Sequence, residues 1–185
     1  MPTPTQTPRP AIFAGQIWRM GHWDLDGNPV NGEEEIVWRV LAVEGNCALL
    51  ITRDAIAERP YHSVTERVSW RSSALCSWLN SAFLSSAFSG EERAAIVTAS
   101  PNPTGDALFL LDTKSAKEFF SGKEDRKANV YGESESIFWW LRTISDTHEG
   151  AYVVKADGTC EATRKVGAAG IYVRPAVWVR CDLLP

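Results

Sequence analysis

The sequence predicts an α+β fold, with a mostly antiparallel sheet and two or three short helices. Three observations carry that prediction. β-favouring runs crowd the first and last fifty residues, apolar positions between them recur at helical spacing, and no alternating βα unit or internal repeat is present.

Residues 1–10 hold four prolines, each fixing φ and removing an N–H donor, so this stretch reads as an arm or linker before a single domain at 11–185. Ile12 to Trp18 suits a first strand. Ile36–Ala42 with Val43, and Cys47–Thr52, are rich in β-favouring residues and are joined by Glu44-Gly45-Asn46, a hairpin-length connection. Leu75, Trp78, Leu79, Ala82 and Phe83 then recur at three- and four-residue intervals, which predicts a helix with one buried face, capped by Ser72 or Ser73. Ser89 and Glu92 have the spacing of a capping box and open a second short helix over Gly90–Val97. Thr113 can start a third, ending near Phe119 or Phe120. Residues 121–136 are polar and read as a surface loop. Strand character returns in Ile137–Arg142 and Ala151–Lys155, with Asp157-Gly158 as a type I′ turn signal. Ile171–Arg174 and Ala176–Val179 form a last strand interrupted by Pro175, where a bulge or edge position is expected.

Composition narrows the function classes. The 185 residues carry a net charge of −4, against the basic footprint that a phosphate-backbone binder needs. No apolar run approaches the ~20 residues of a membrane span, and the first residues lack a signal-peptide pattern. Cys47, Cys76, Cys160 and Cys181 form no CxxC pair; two disulfides and reduced thiols both remain open.

The motifs Trp38-Arg39-Val40-Leu41, Leu49-Leu50-Ile51, Trp70-x-x-Ser73-x-Leu75-x-x-Trp78-Leu79-Asn80-x-x-Phe83, Phe109-Leu110-Leu111, Trp139-Trp140-Leu141-Arg142 and Val173-Arg174-Pro175-Ala176-Val177-Trp178 occur in this order. The set resembles a bacterial and phage domain family of unassigned function, from about Gly15 to Val179. That family in turn is similar to the C-type-lectin-like fold of formylglycine-generating enzymes and of the variable proteins of diversity-generating retroelements. The resemblance implies a C-type-lectin-like fold. Cys76 stands where the family usually has arginine, and Tyr172 where it usually has glycine.

Catalytic signatures are weak. There is no G-x-S-x-G elbow or HExxH, and only His22, His62 and His148 could serve as bases. Asp24, Asp26, Asn28 and Glu35 imitate an EF-hand loop, but its sixth position is Pro29 rather than glycine and helical flanks are missing, so a solvated loop is expected and no metal. A formylglycine-type oxidase would need a reactive cysteine pair, for which Cys160 and Cys181 are the candidates. Trp139 and Trp140 are adjacent on a strand and point to opposite faces; one belongs to the core, and the other is buried under loops or forms a stacking platform. Arg142 and Arg174 call for buried carboxylate or carbonyl partners.

The stretch between the last two motifs is polar and tyrosine-bearing: Ser145, Asp146, Thr147, His148, Glu149, Tyr152, Lys155, Asp157, Thr159, Glu161, Thr163 and Tyr172. Such side chains on a rigid sheet suit recognition. The resemblance implies that this region is where retroelement variable proteins place their diversity. The expectation is a non-catalytic protein without cofactor. It would bind a protein, or less readily a glycan, on a cell surface, as part of a phage virion or bacterial surface. The alternatives are the oxidase and a structural module of a larger surface protein.

Overall fold

Strands β1 (Ile17–Trp23), β2 (Glu34–Glu44) and β3 (Cys47–Thr52) form an antiparallel run that the last strand, β9 (Ala176–Arg180), joins beside β3. The second sheet has the order β4-β8-β5-β6-β7, from β4 (Ala57–Glu58), β5 (Trp139–Ile144), β6 (Gly150–Val154), β7 (Ala162–Lys165) and β8 (Tyr172–Val173). Among the described strands, β5 and β8 pair in parallel and the other neighbours pair antiparallel. The structure is a computed structural model that describes residues 11–183, so the proline-rich arm expected at 1–10 lies outside the described residues. Among them are four short helical stretches rather than two or three. Helix α1 runs continuously through Ala74–Trp78, Leu79–Phe83 and Leu84–Ala87; α2 is Gly90–Ala95, α3 Thr113–Glu118 and α4 Lys123–Arg126. The fourth falls within the expected 121–136 loop. A single contiguous apolar core draws residues from both sheets and from α1.

Local rules account for much of this. Glu44 faces Cys47 in the β2–β3 register, leaving Gly45-Asn46 as the turn, with Gly45 at φ +59°. Ser73 is the cap of α1, its hydroxyl accepting from the Cys76 N–H, while Ser72 bonds back to Ser69 instead. The middle segment of α1 is π-helical, and the wider turn puts Leu79, Phe83 and Ala87 in one buried row at four-residue steps. Ala82, expected inside, is exposed for that reason. Asn80 explains its place in the motif: its side chain donates to the Leu108 carbonyl (2.8 Å) and accepts from the Leu108 N–H (3.0 Å), stitching α1 to the Leu108–Leu111 stretch.

The first strand starts at Ile17 rather than Ile12, because Gly15 turns the chain at φ +90° and the Gln16 N–H donates to Phe13 O. Helix α2 stops at Ala95, two residues short of the expected end. Ile96 and Val97 instead run along β9, the Val97 N–H donating to Trp178 O. Its capping box is present, and Glu92 also accepts from the N–H of Gly21 (2.7 Å), tying the β1 bulge to the helix. Glu92→Ala therefore leaves the Ser89 cap in place but removes the reciprocal half of the box and strands the Ser89 and Gly21 amides. We expect a loss of about 2 kcal/mol, read as a shift in the urea midpoint, with Glu92→Gln recovering no more than about half of it, because its amide offers one accepting oxygen where the carboxylate offers two.

Pro175 marks more than a bulge. Val173 pairs with Ala57 in one sheet and Ala176 with Ile51 in the other, so the expected single strand is two strands in different sheets. Proline has no N–H to continue a ladder, and the chain crosses over at that residue. The 52–56 segment crosses beside it: the Thr52 and Ile56 N–H groups donate to Pro175 O and Val173 O, and the buried Arg174 Nε donates to Thr52 O (2.7 Å).

Candidate functional site

The register of β6 separates the sequence-predicted site residues. Ser145–Glu149 form the β5–β6 turn at one end of β6, and Lys155, Asp157, Thr159 and Glu161 lie in the β6–β7 connection at the other. Five residues of strand put these groups about 17 Å apart. Tyr152 and Thr163 face each other across β6 and β7. Tyr172 lies elsewhere, on β8 between β4 and β5, in a groove of about 270 Å³ with Trp23–Gly27 and Ala55–Glu58. The expected loop also contains the ordered strand β7. The twelve residues do not make one face. Asp157 is tied to the Thr159 N–H and Glu161 to Lys117 (2.8 Å), so much of the far group is engaged locally.

The near group has a neighbour that sequence reasoning missed. Asp146, Thr147, His148 and Glu149 are exposed. His148 is the non-glycine residue with positive φ (62°) among the described residues, a conformation that costs a histidine about 1 kcal/mol and needs support. That support is visible: its N–H donates to Ser145 O, and its carbonyl accepts from the N–H of Val68 (3.0 Å). Val68 leads directly to Ser69, Trp70 and Arg71, which with Pro103, Thr104 and Arg142 line a hollow of about 280 Å³. Arg142 and Pro103 also border a deeper cavity of about 180 Å³ walled by Leu49, Phe109, Leu111, Phe119 and Trp178. The turn therefore sits at the rim of a cleft with a polar part and an apolar part, and Arg142 between them.

Arg142 does have the carboxylate partner its motif called for: Nη2 donates to Asp112 Oδ2 at 2.5 Å. Arg174 likewise has the carbonyl of Thr52. Nε of Arg142 is sealed from water without a partner. The side chain is nevertheless 25% exposed, and Nη1 has no protein acceptor among the described residues. From below, the Tyr61 hydroxyl donates to the Arg142 carbonyl (3.1 Å), and Tyr61 packs edge-on against Trp140. Both tryptophans of the motif are fully buried, so neither is a stacking platform.

Burial alone would raise the Asp112 pKa. The N–H and hydroxyl of Ser115 and the charge of Arg142 outweigh it and hold the carboxyl below its ordinary value of 3.8. The folded state thus favours the ionised form, and this stabilisation is present above pH ~4 and is lost as pH falls through the lowered pKa. Asparagine still caps α3 but cannot titrate. Asp112→Asn is expected to flatten the acid limb of stability below about pH 4 in urea unfolding; an unchanged limb would show that Asp112 does not contribute.

Comparison with known proteins identifies the family: a domain of unknown function, DUF6273, matches residues 45–107 and again 101–181. The chain belongs to the DUF6273 family. No curated protein and no solved structure matches it. The DUF6273 match includes every residue that lines the Arg142 cleft and the whole 145–149 turn. It excludes the acidic loop, where the structure gathers Asp24, Asp26 and Glu34 within 4.8 Å of one another. Of the four EF-hand-like positions in the sequence, Asn28 instead accepts from Val30 N–H and Glu35 pairs with Arg19. Glu34 is already bonded to the Leu25 and Asp26 N–H groups. Cys160 is buried in the β6–β7 connection, whereas Cys181 follows β9, beside Cys47.

Proposed function

We propose that this DUF6273 domain is a non-catalytic recognition module that binds a protein ligand through the β5–β6 turn and the Arg142 cleft behind it. The observation that carries the reading is the strained, supported turn at His148 on the rim of a partly apolar cleft. A rigid frame, exposed polar side chains and an apolar hollow at the centre are the parts of a contact surface. This narrows the C-terminal surface to Ser145–Glu149; Lys155, Asp157, Thr159, Glu161 and Tyr172 stand apart from it. The separation of Cys160 from Cys181 speaks against the oxidase alternative.

The C-type-lectin-like arrangement is part of the proposal, supported by the two mostly antiparallel sheets with short helices. Its sharper form is a retroelement-diversified variable protein on a phage or bacterial surface. That form predicts a reverse-transcriptase gene and a near-copy template repeat, differing at adenines, beside this gene. Their absence removes diversification and leaves binding. Binding itself is tested by selecting a displayed random-peptide library on the domain. Clones should enrich, and should lose affinity for a variant carrying Asp146→Ala, Thr147→Ala, His148→Gly and Glu149→Ala. Equal affinity for the variant, or no enrichment, overturns the reading.

A further inference from the structure

Resting on that reading, we propose that the hollow bordered by Arg71 and Arg142 holds the protein ligand by charge, and that the group it takes is a single carboxylate. Its lining of Ser69, Trp70, Arg71, Pro103, Thr104 and Arg142 includes two guanidinium groups and no acid, on a chain whose net charge is −4. Arg71 is exposed, and its Nη2 donates to the Thr104 carbonyl, a neutral acceptor; among the described residues it forms no ion pair. Thr104 is itself buried and fixed, its N–H and hydroxyl both donating to Asn102 Oδ1 at 2.9 Å. One arm of the Arg71 fork is thus anchored while its other donors have no acceptor, so little side-chain freedom is left to lose on binding.

Charge sets the class of ligand. Behind the lining, Asp112 takes Nη2 of Arg142 and also accepts from the Ser115 N–H, and Asp106 takes the Trp70 indole N–H (2.8 Å). That leaves Arg71 as the guanidinium of the lining without a carboxylate partner. A neutral carbonyl would satisfy one of its donors and leave the charge unmatched, whereas a bond from a cationic N–H to a carboxylate is about twice as strong as a neutral one. A dianion such as a phosphate monoester would bring a second negative charge toward Asp106 and Asp112 with no further cation in the lining to meet it. One carboxylate balances the count. Arg142 borders the same hollow, and its Nη1 has no acceptor among the described residues. At about 280 Å³ the hollow is smaller than the roughly 300–1,000 Å³ of small-molecule sites and suits one acidic side chain or chain end, with Trp70 and Pro103 to cover its methylenes.

Defined probes titrated into the full chain test this, with the Trp70 indole N–H and the Arg71 guanidinium followed by NMR. The α-amide of N-acetylglutamic acid, whose one carboxylate is on the side chain, should shift both saturably, with a dissociation constant on the order of 1–10 mM. N-acetylglutamine amide has the same shape without the charge and should give no saturable shift. N-acetylglycine carries its carboxylate at the chain end. Binding of either acid supports the proposal, and the tighter of the two names the source as a side chain or a C-terminus. Inorganic phosphate should bind more weakly than that acid. Arg71→Gln should weaken the acid about tenfold, and Arg71→Lys about threefold, since the charge is kept and the fork lost. Arg19→Gln removes an equal charge from β1, in the other sheet, and should change nothing. Thermal melting verifies that each variant folds. The proposal is overturned by no saturable shift with either acid, by a glutamine probe that binds as tightly, by tighter binding of phosphate, or by an Arg71→Gln variant that binds like the parent. The peptide selection on the 146–149 variant reads the turn and the acid titration reads the hollow, so the two readings fail separately.

Discussion

Gly158→Ala is expected to destabilise the domain by about 3–5 kcal/mol, a large effect for one added methyl group. Two costs coincide. Gly158 has φ +80°, a left-handed conformation that costs an L-residue about 1–2 kcal/mol. It is also buried in the β6–β7 connection against α4, so that a Cβ would overlap the Lys123 carbonyl, a backbone group that cannot swing away. The Gly158 carbonyl accepts from Arg126 Nε (2.9 Å) and its N–H donates to Lys155 O (2.8 Å), so moving the turn aside breaks both bonds. Gly45 is the control. Its φ is +59° with open space around it, and Gly45→Ala should cost only the conformational part, about 1 kcal/mol. Urea unfolding decides between them; midpoint losses of equal size would mean that α4 does not pack as described.

Trp140→Ala should cost a similar 3–5 kcal/mol, as deletion of a buried tryptophan does, and Trp140→Phe less than half of that. The ring is fully buried, its N–H donates to the Arg59 carbonyl (2.9 Å), and the Tyr61 ring stands 5.5 Å from it at 69°. The substitution also has a local consequence. Tyr61 holds the Arg142 carbonyl, so losing the ring beneath it should loosen β5 where it enters the 145–149 turn. Amide hydrogen exchange should speed up at residues 143–150 well beyond the rest of the second sheet. A loss below about 1 kcal/mol would mean that Trp140 is not a core residue.

The elements legible in the sequence are those whose causes are local. The β2–β3 hairpin follows from two β-favouring runs around Gly45-Asn46. The capping box at Ser89 and Glu92 follows from a three-residue spacing, and the Ser73 cap from a hydroxyl before an apolar-periodic run. Where local cues pointed the wrong way, a partner distant in the chain decided. Ile96 and Val97 leave helical geometry for the edge of β9, and Ala162–Lys165 become a strand because β6 offers a ladder, despite a polar, loop-like composition. At Asp157-Gly158 a tight turn forms but departs from type I′, since among these two residues only Gly158 has positive φ.

For the candidate site, residue type and exposure were readable, since Asp146 to Glu149 are polar and flanked by strands. Their grouping was not. Strand length sends the two connections of β6 to opposite ends, which a stretch of polar letters does not reveal. The Arg142 cleft had a single sequence signal, a charged residue at the end of an apolar strand.

From the chain's own chemistry come the α+β class, the hairpin, the helix caps and the requirement that Arg142 and Arg174 find acceptors, because each depends on neighbours within a few residues. Tertiary structure alone decided that Val173 and Ala176 enter different sheets and that Leu49, Ser69, Pro103, Phe109, Arg142 and Trp178 border one cleft. The reason is that backbone donors and acceptors are satisfied across the whole chain at once. Which strand satisfies which, and hence which side chains meet, is fixed by register between segments up to a hundred residues or more apart, as between Thr52 and Arg174.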